Sequence, residues 1–197
     1  MNQEDEKIHL THSKVDEKYL KLIEVGPNEV VICAIKKHPI GLLSIYLSGL
    51  FVSVIVVVAS TIVGTLIQNQ LREEVSFPFL PIIIGIGVLV GIISMLFTYI
   101  AGFVYQNNIL VLTNEKVAQI LYRNLIDRKI SQLSLGELQD ITVDQRGLVA
   151  RFFQYGTLIL ETAGEQNNYN FTYTSYPHHC AKEIVQAHES SIKRYGN

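Results

Sequence analysis

No Asp, Glu, Lys or Arg occurs in residues 38–71, and none again in residues 75–114, so the chain holds uncharged runs of 34 and 40 residues separated only by Arg72, Glu73 and Glu74. A helix needs about 20 apolar residues to cross a hydrocarbon layer roughly 30 Å thick. Both runs exceed that length. Charged residues make up 17% of the 197 residues, against about 25% in soluble domains, and the deficit is concentrated in these two runs. An ordinary globular protein is therefore excluded, and the expected location is a cell membrane. What remains outside is about 120 residues, enough for one small domain but too few for a large catalytic core with its own cofactor site.

The first span is expected at about residues 41–67 and the second at 77–105, within a hairpin region of 40–105. Two long helices joined by so short a connection run antiparallel. Lys36 and Lys37 precede the first span and Lys116 and Arg123 follow the second, whereas the connection holds one Arg beside two Glu. The positive-inside rule then makes the protein multi-pass with both termini cytoplasmic. Tyr46, Tyr99 and Tyr105 lie near span ends, where an amphipathic ring suits the headgroup level. Gly87 and Gly91 form a GxxxG step, and Ser60/Gly64, Ser44/Ser48 and Thr98/Gly102 repeat the small-xxx-small spacing. Such faces let helix backbones approach closely, either within one chain or in a homo-oligomer. Pro78 and Pro81 shape the start of the second span. Neither span contains an ionisable acid or base, which argues against a transporter or channel.

Residues 1–18 are almost entirely polar and are expected to be a disordered tail, followed by a juxtamembrane segment at 19–39. A cleavable signal peptide fits poorly, because the first apolar run begins after about 39 residues and is longer than an h-region of 7–15. The first span is expected to stay as an anchor. Cys33 and Cys180 have no paired spacing, so two reduced thiols are expected.

After residue 105 the pattern changes to short runs punctuated by turns, which predicts strands at 109–112, 117–121, 129–133, 138–144, 157–162 and 169–174. A helix at 177–194 closes the chain, with Ala181, Ile184, Val185, His188 and Ile192 as its apolar stripe. The fold class is α+β: a two-helix transmembrane hairpin plus a β meander, at 106–197, capped by a C-terminal helix.

Four segments carry a family resemblance. They are Gly26-Pro27-Asn28-Glu29-Val30-Val31 with Lys37-His38; Asn108-Ile109-Leu110-Val111-Leu112-Thr113-Asn114-Glu115-Lys116-Val117; Leu138-Gln139-Asp140-Ile141-Thr142-Val143; and Gly147-Leu148-Val149-Ala150-Arg151-Phe152-Phe153-Gln154-Tyr155-Gly156-Thr157. In this order and spacing the chain resembles the bacterial membrane proteins that carry a pleckstrin-homology-like (PH-like) domain. The resemblance implies a PH-like split barrel on the cytoplasmic side, tethered by two helices and without an established enzyme activity. In that family the segment before the first span can add a strand, which places residues 29–35 in the same domain.

Eukaryotic relatives of this fold read phosphoinositides through basic residues near their first strand loop. Here that loop is Thr113, Asn114, Glu115 and Lys116, a poor anion site because phosphate recognition wants clustered cations or backbone donors. Only Gln106, Asn107 and Asn108 link the second span to the first strand, a reach of about 10 Å. That loop should then lie roughly 15 Å further from the bilayer. Loops 122–128 and 145–156 should return to the membrane side. They carry Arg123, Arg128, Arg146 and Arg151 against Asp127, interleaved with Leu125, Ile126, Leu148, Val149, Phe152 and Phe153, whereas loops 113–116, 134–137 and 163–168 carry Glu115, Glu137 and Glu165 against Lys116. A cation beside an anionic leaflet gains about 1 kcal/mol. Arg123, Arg128, Arg146, Arg151, Leu148, Phe152 and Phe153 are thus membrane-contact candidates; alternatively, Leu148, Phe152 and Phe153 plug one end of the barrel.

His178, His179 and Cys180 are adjacent and would point about 100° apart on a helix, so no metal site is expected. Gly85 and Gly87 sit in an apolar span rather than after a strand, which excludes a phosphate loop. A net charge of −2 lacks the basic footprint of nucleic-acid binding. No catalytic residue and no cofactor emerge, and a non-enzymatic protein is expected. Three roles remain open: a binding or scaffolding module that recruits protein partners, by β-augmentation at an open barrel edge; a lipid-sensing or envelope-stress protein; and an accessory subunit of a membrane complex.

Overall fold

The computed structural model describes residues 17–71, 79–162 and 169–195. Most of the expected polar tail, the segment with Arg72, Glu73, Glu74 and Pro78, and the 163–168 loop with Glu165 lie outside them. The chain divides into two compact units, one formed by residues 42–103 and the other by the residues on either side.

After α1 (Glu17–Leu22) and β1 (Val31–Lys36), which belong to the larger unit, a pair of long apolar helices, α2 (Pro39–Leu71) and α3 (Phe79–Gln106), makes the smaller unit. Both are long and apolar enough to cross a membrane: 28 residues rise about 42 Å at 1.5 Å each. Their contacts run in opposite order along the two helices, as an antiparallel pair requires. Gly102 faces Tyr46, Gly49 faces Thr98, Gly87 faces Ser60, and Gly64 faces Leu80 and Ile83. A methyl group at Gly87 would overlap the Ser60 side chain, so the backbones approach as closely as glycine permits. Ser53 Oγ donates to its own helix at Gly49 O (2.9 Å) and across to Gly91 O (3.2 Å). Gln68 Oε1 accepts from the Phe79 and Leu80 amides at 3.0 and 3.3 Å, capping the start of α3. Gly87, Gly91, Ser60 and Gly64 are therefore consumed in packing within the chain, whereas Ser44 and Ser48 are exposed and Gly85 meets nothing.

In the larger unit, β1 (Val31–Lys36), β2 (Ile109–Thr113), β3 (Lys116–Tyr122) and β4 (Arg128–Ser134) form an antiparallel four-stranded sheet in that order. A 3₁₀ turn at Leu135–Glu137 leads into a second antiparallel sheet of β5 (Leu138–Asp144), β6 (Tyr155–Thr162) and β7 (Tyr169–Ser175). The sheets are joined where Lys37 bridges Thr174 and where Gln119 Nε2 donates to Asn170 O at 2.9 Å. A short helix α4 (Leu148–Phe152) separates β5 from β6, and α5 (Pro177–Tyr195) closes the chain. The juxtamembrane segment supplies β1, whose register with β2 runs from Val31↔Thr113 to Lys36↔Ile109.

Leu110, Leu112, Leu133, Leu138, Leu158, Leu160 and Phe171 fill the space between the sheets, closed by Cys180, Ile184 and Ala187 of α5. The apolar stripe of α5 is thus rotated from the expected one: Cys180, Ile184, Ala187 and Ser191 are buried, and Val185 and Ile192 are exposed. Small residues at 180, 187 and 191 bring the helix close to the sheet, and packing outweighs the hydropathy of the two β-branched positions.

Residues 17 and 18, expected in the tail, instead begin a helix, α1 (Glu17–Leu22). Its Tyr19, with Ile23 one turn later, packs on Ala34, Ile109, Val111, Ala118 and Ile120, the outer face of the four-stranded sheet. Every residue of β2 is consequently buried. A strand covered on both faces reads as a continuous apolar run rather than an alternation.

Candidate functional site

Strand register sorts the loops of the larger unit into two ends. At one end the chain leaves for α2 and returns from α3. Here Asn108 Oδ1 accepts from the Tyr122 amide at 2.6 Å, and His38 N donates to Tyr173 O at 2.6 Å. Tyr122↔Arg128, Asp144↔Thr157 and Tyr155↔Ser175 place the β3–β4 and β5–β6 connections at this same end. The β2–β3 loop lies at the other.

That opposite loop is internally committed. Lys116 Nζ lies 3.3 Å from Glu29 Oε2 and donates to Ile23 O and Glu24 O at 3.0 and 3.2 Å. Glu29 is only 3% exposed in its side chain and accepts from Thr113 Oγ1 at 2.7 Å and the Gly26 amide at 2.8 Å. Burial pushes its carboxyl up, but those two donors and the Lys116 ammonium outweigh it and hold the group below the usual Glu range. The cation that a phosphate would need in this loop is already spent.

The exposed groups gather at the end where the chain enters the helices. Arg123 and Arg128 flank the β3–β4 turn, in which Asn124 Oδ1 accepts from the amides of Ile126 (2.9 Å) and Asp127 (2.6 Å), and Asn124 Nδ2 donates to Asp127 Oδ2 at 3.0 Å. This Asx turn thrusts Ile126 outward until it is 92% exposed. In the β5–β6 connection Gly147 adopts φ 89° and starts α4, whose Ala150 turns inward and is buried, its carbonyl accepting from Gln145 Nε2 at 2.8 Å. The outward face of that single turn holds Leu148, 85% exposed, and Phe152, 82% exposed, with Val149 and Phe153 also exposed. Phe152 and Phe153 meet edge to face at 5.1 Å. Leu148 and Phe152 therefore do not plug the barrel. Arg151 projects from the same turn, and Arg146 Nε is 2.9 Å from Asp144 Oδ1. These large apolar side chains lie outside the core.

Beside this patch lies a group of residues that are far apart in the chain. His38, Tyr155, Tyr173 and Tyr105 form a ladder of rings with centroid separations of 5.6, 5.6 and 6.1 Å. The Tyr105 hydroxyl donates to His38 O at 2.7 Å. Lys37 stands over the Tyr105 ring at 5.2 Å and donates to Thr172 Oγ1 at 3.1 Å. Burial lowers the proton affinity of both Lys37 and His38. No local pattern signals this cluster, because it depends on β1 reaching β7 across 135 residues.

Cys33 and Cys180 are free and buried, and burial raises both thiols, Cys180 to about 12. Cys180 Sγ donates to Ser175 O at 3.3 Å, His178 is exposed, and among the described residues no group of His, Cys, Asp and Glu could hold a metal ion.

No curated protein and no solved structure matches the chain. A family model described as Bacterial PH domain does match, over residues 40–187, taking in nearly all of both long helices, strands β2 to β7 and most of α5, with β1 preceding it. With two antiparallel sheets closed by a C-terminal helix and a match over most of its length, the chain belongs to the bacterial PH domain family and carries a PH-like binding module.

Proposed function

We propose that this chain is a non-catalytic PH-like binding module, tethered in the cell membrane by α2 and α3 with both termini in the cytoplasm, that engages the headgroup layer through the helix-proximal end of its domain. The observation that carries this role is the exposure of Ile126, Leu148 and Phe152 among Arg123, Arg128, Arg146 and Arg151, at the end where the chain passes into two apolar helices. Apolar side chains next to cations suit an anionic leaflet. Arg123 and Arg128 outnumber the one carboxylate of that turn, Asp127. The β2–β3 loop, with its lysine held internally, then faces the cytosol.

The test uses the full chain in nanodiscs containing anionic lipid, with a photo-crosslinking residue placed at 126, 148 or 152 and, as comparison, at 115 or 137. Lipid adducts at the first three positions and none at the other two are expected. The reverse pattern would overturn the orientation.

Recruitment of a protein partner is the second role, favoured by a separate observation. The terminal strands β4 and β5 each pair on one side only within their sheets, and an unpaired strand edge accepts an extended peptide by β-augmentation. Partner capture that survives replacement of α2 and α3 by an unrelated hairpin supports it.

A further inference from the structure

Behind α4 lies a cleft of about 250 Å³ lined by Asp144, Arg146, Ala150, Tyr155, Gly156, Thr157, Thr172 and Tyr173. That is small for a drug-sized ligand, whose pockets start at about 300 Å³, and suits a compact polar group. Its position matters. Ala150 forms one wall, and Leu148 and Phe152 lie on the opposite face of the same helical turn. Wherever those two side chains meet a bilayer, the cleft lies at headgroup depth.

The lining carries both signs of charge. Arg146 offers a guanidinium, and its 2.9 Å contact with Asp144 is exposed to solvent on the arginine side, so the pair is weakly held and open to exchange. Lys37 stands outside this lining, over the Tyr105 and Phe171 rings, and donates to the hydroxyl of Thr172. Tyr155, Thr157 and Tyr173, each bearing a hydroxyl, complete the lining. A bare phosphate would be repelled by Asp144, and a bare amine by Arg146. A group holding both charges satisfies each.

The backbone adds an independent indication. Tyr173, Gln154 and Tyr176 adopt φ of 56°, 51° and 47°, the left-handed region that bulky residues rarely enter. Tyr173 lines the cleft, and Gln154 and Tyr176, joined by a 2.9 Å backbone hydrogen bond, adjoin it. Strain of this kind concentrates at ligand clamps.

We propose that this cleft binds the amine-bearing phosphodiester of a phosphoethanolamine-type lipid headgroup, with Arg146 on the phosphate and Asp144 on the ammonium. The lipid source rests on the bilayer contact proposed above, whereas the headgroup chemistry does not. The full chain in detergent micelles is titrated calorimetrically with soluble glycerophosphoethanolamine, glycerophosphoglycerol and inorganic phosphate. Saturable binding of the first is expected, at least tenfold tighter than the other two, weakened at least tenfold by Arg146→Gln or Asp144→Asn and retained in Arg146→Lys. Circular dichroism confirms that each variant is folded. Absence of saturable binding, equal binding of inorganic phosphate, or full binding by Asp144→Asn would overturn the proposal. Reconstitution in nanodiscs with and without phosphatidylethanolamine identifies the source. Competition by that lipid against the soluble headgroup is expected, and its absence would overturn the lipid assignment. Replacing Ile126, Leu148 and Phe152 by Ser tests the bilayer contact separately and should leave soluble headgroup binding in micelles unchanged.

Discussion

Glu29 Oε2 and Lys116 Nζ are 3.3 Å apart across the junction between the segment preceding β1 and the start of β3, and the carboxylate is almost wholly removed from water. The pair joins two stretches of chain separated by the entire helical hairpin. It also removes the lysine that would otherwise equip the β2–β3 loop for anion binding.

Glu29→Gln is expected to destabilise the domain by about 3 kcal/mol, the low end for losing one partner of a buried pair, because Lys116 keeps 20% of its side chain exposed. In the unmodified chain the Glu29 carboxyl is held below its usual range. Near the ordinary Glu value of about 4.3 the unfolded chain binds more protons than the folded one, so stability rises with pH there. This contribution is complete above that value and is lost as pH falls through the lower folded value. Thermal unfolding of wild type and Glu29→Gln between pH 3 and 7 should converge at the acid end.

Ile23 is fully buried under the four-stranded sheet although it lies outside any strand. Ile23→Ala should cost about 2–5 kcal/mol, measured by urea denaturation in micelles. A loss below about 0.5 kcal/mol would mean that α1 does not dock.

In the helical pair Gly87 meets Ser60 and Gly85 meets nothing. Gly87→Ala should destabilise by roughly 1–3 kcal/mol through overpacking, with partial restoration by adding Ser60→Gly. Gly85→Ala should be close to neutral. Thermal melting in one detergent distinguishes the three variants.

Arg123→Glu and Arg151→Glu should each lower lipid crosslinking from position 148 or 152. Loss of about 1 kcal/mol per cation corresponds to roughly fivefold, and reversal to more. Raising ionic strength should reduce crosslinking in the wild type and have less effect in the variants.

Cys180 is raised to about 12 by burial and Cys33 is raised as well. Alkylation of both thiols at neutral pH should therefore follow unfolding, since the thiolate is the nucleophile. Modification within seconds in native buffer would contradict their placement in the core.

Much of this architecture was legible locally. The six strands after α3 and the closing helix fall within two residues of where alternation and turn residues place them. The arginines of the two helix-proximal loops could be grouped by counting strands. Helix α1 was missed because Tyr19 and Ile23 make only one apolar turn inside a polar neighbourhood, too short to stand out before the sheet that covers it is known. The α5 stripe was mis-phased because Val185 and Ile192 outweigh Cys180, Ala187 and Ser191 in hydropathy but not in fit.

By itself the sequence determined where the two long helices lie and that the remainder is a β meander with a closing helix, because both conclusions depend on local charge depletion and on a repeat of two or 3.6 residues. Only the tertiary structure decided that Lys116 is held by Glu29, that Leu148 and Phe152 face outward while Ala150 faces in, and that Asp144, Arg146, Tyr155 and Tyr173 share one cleft. These depend on which strands meet across long separations and on the positive φ at Gly147 that starts α4, and neither is written in the spacing of neighbouring residues.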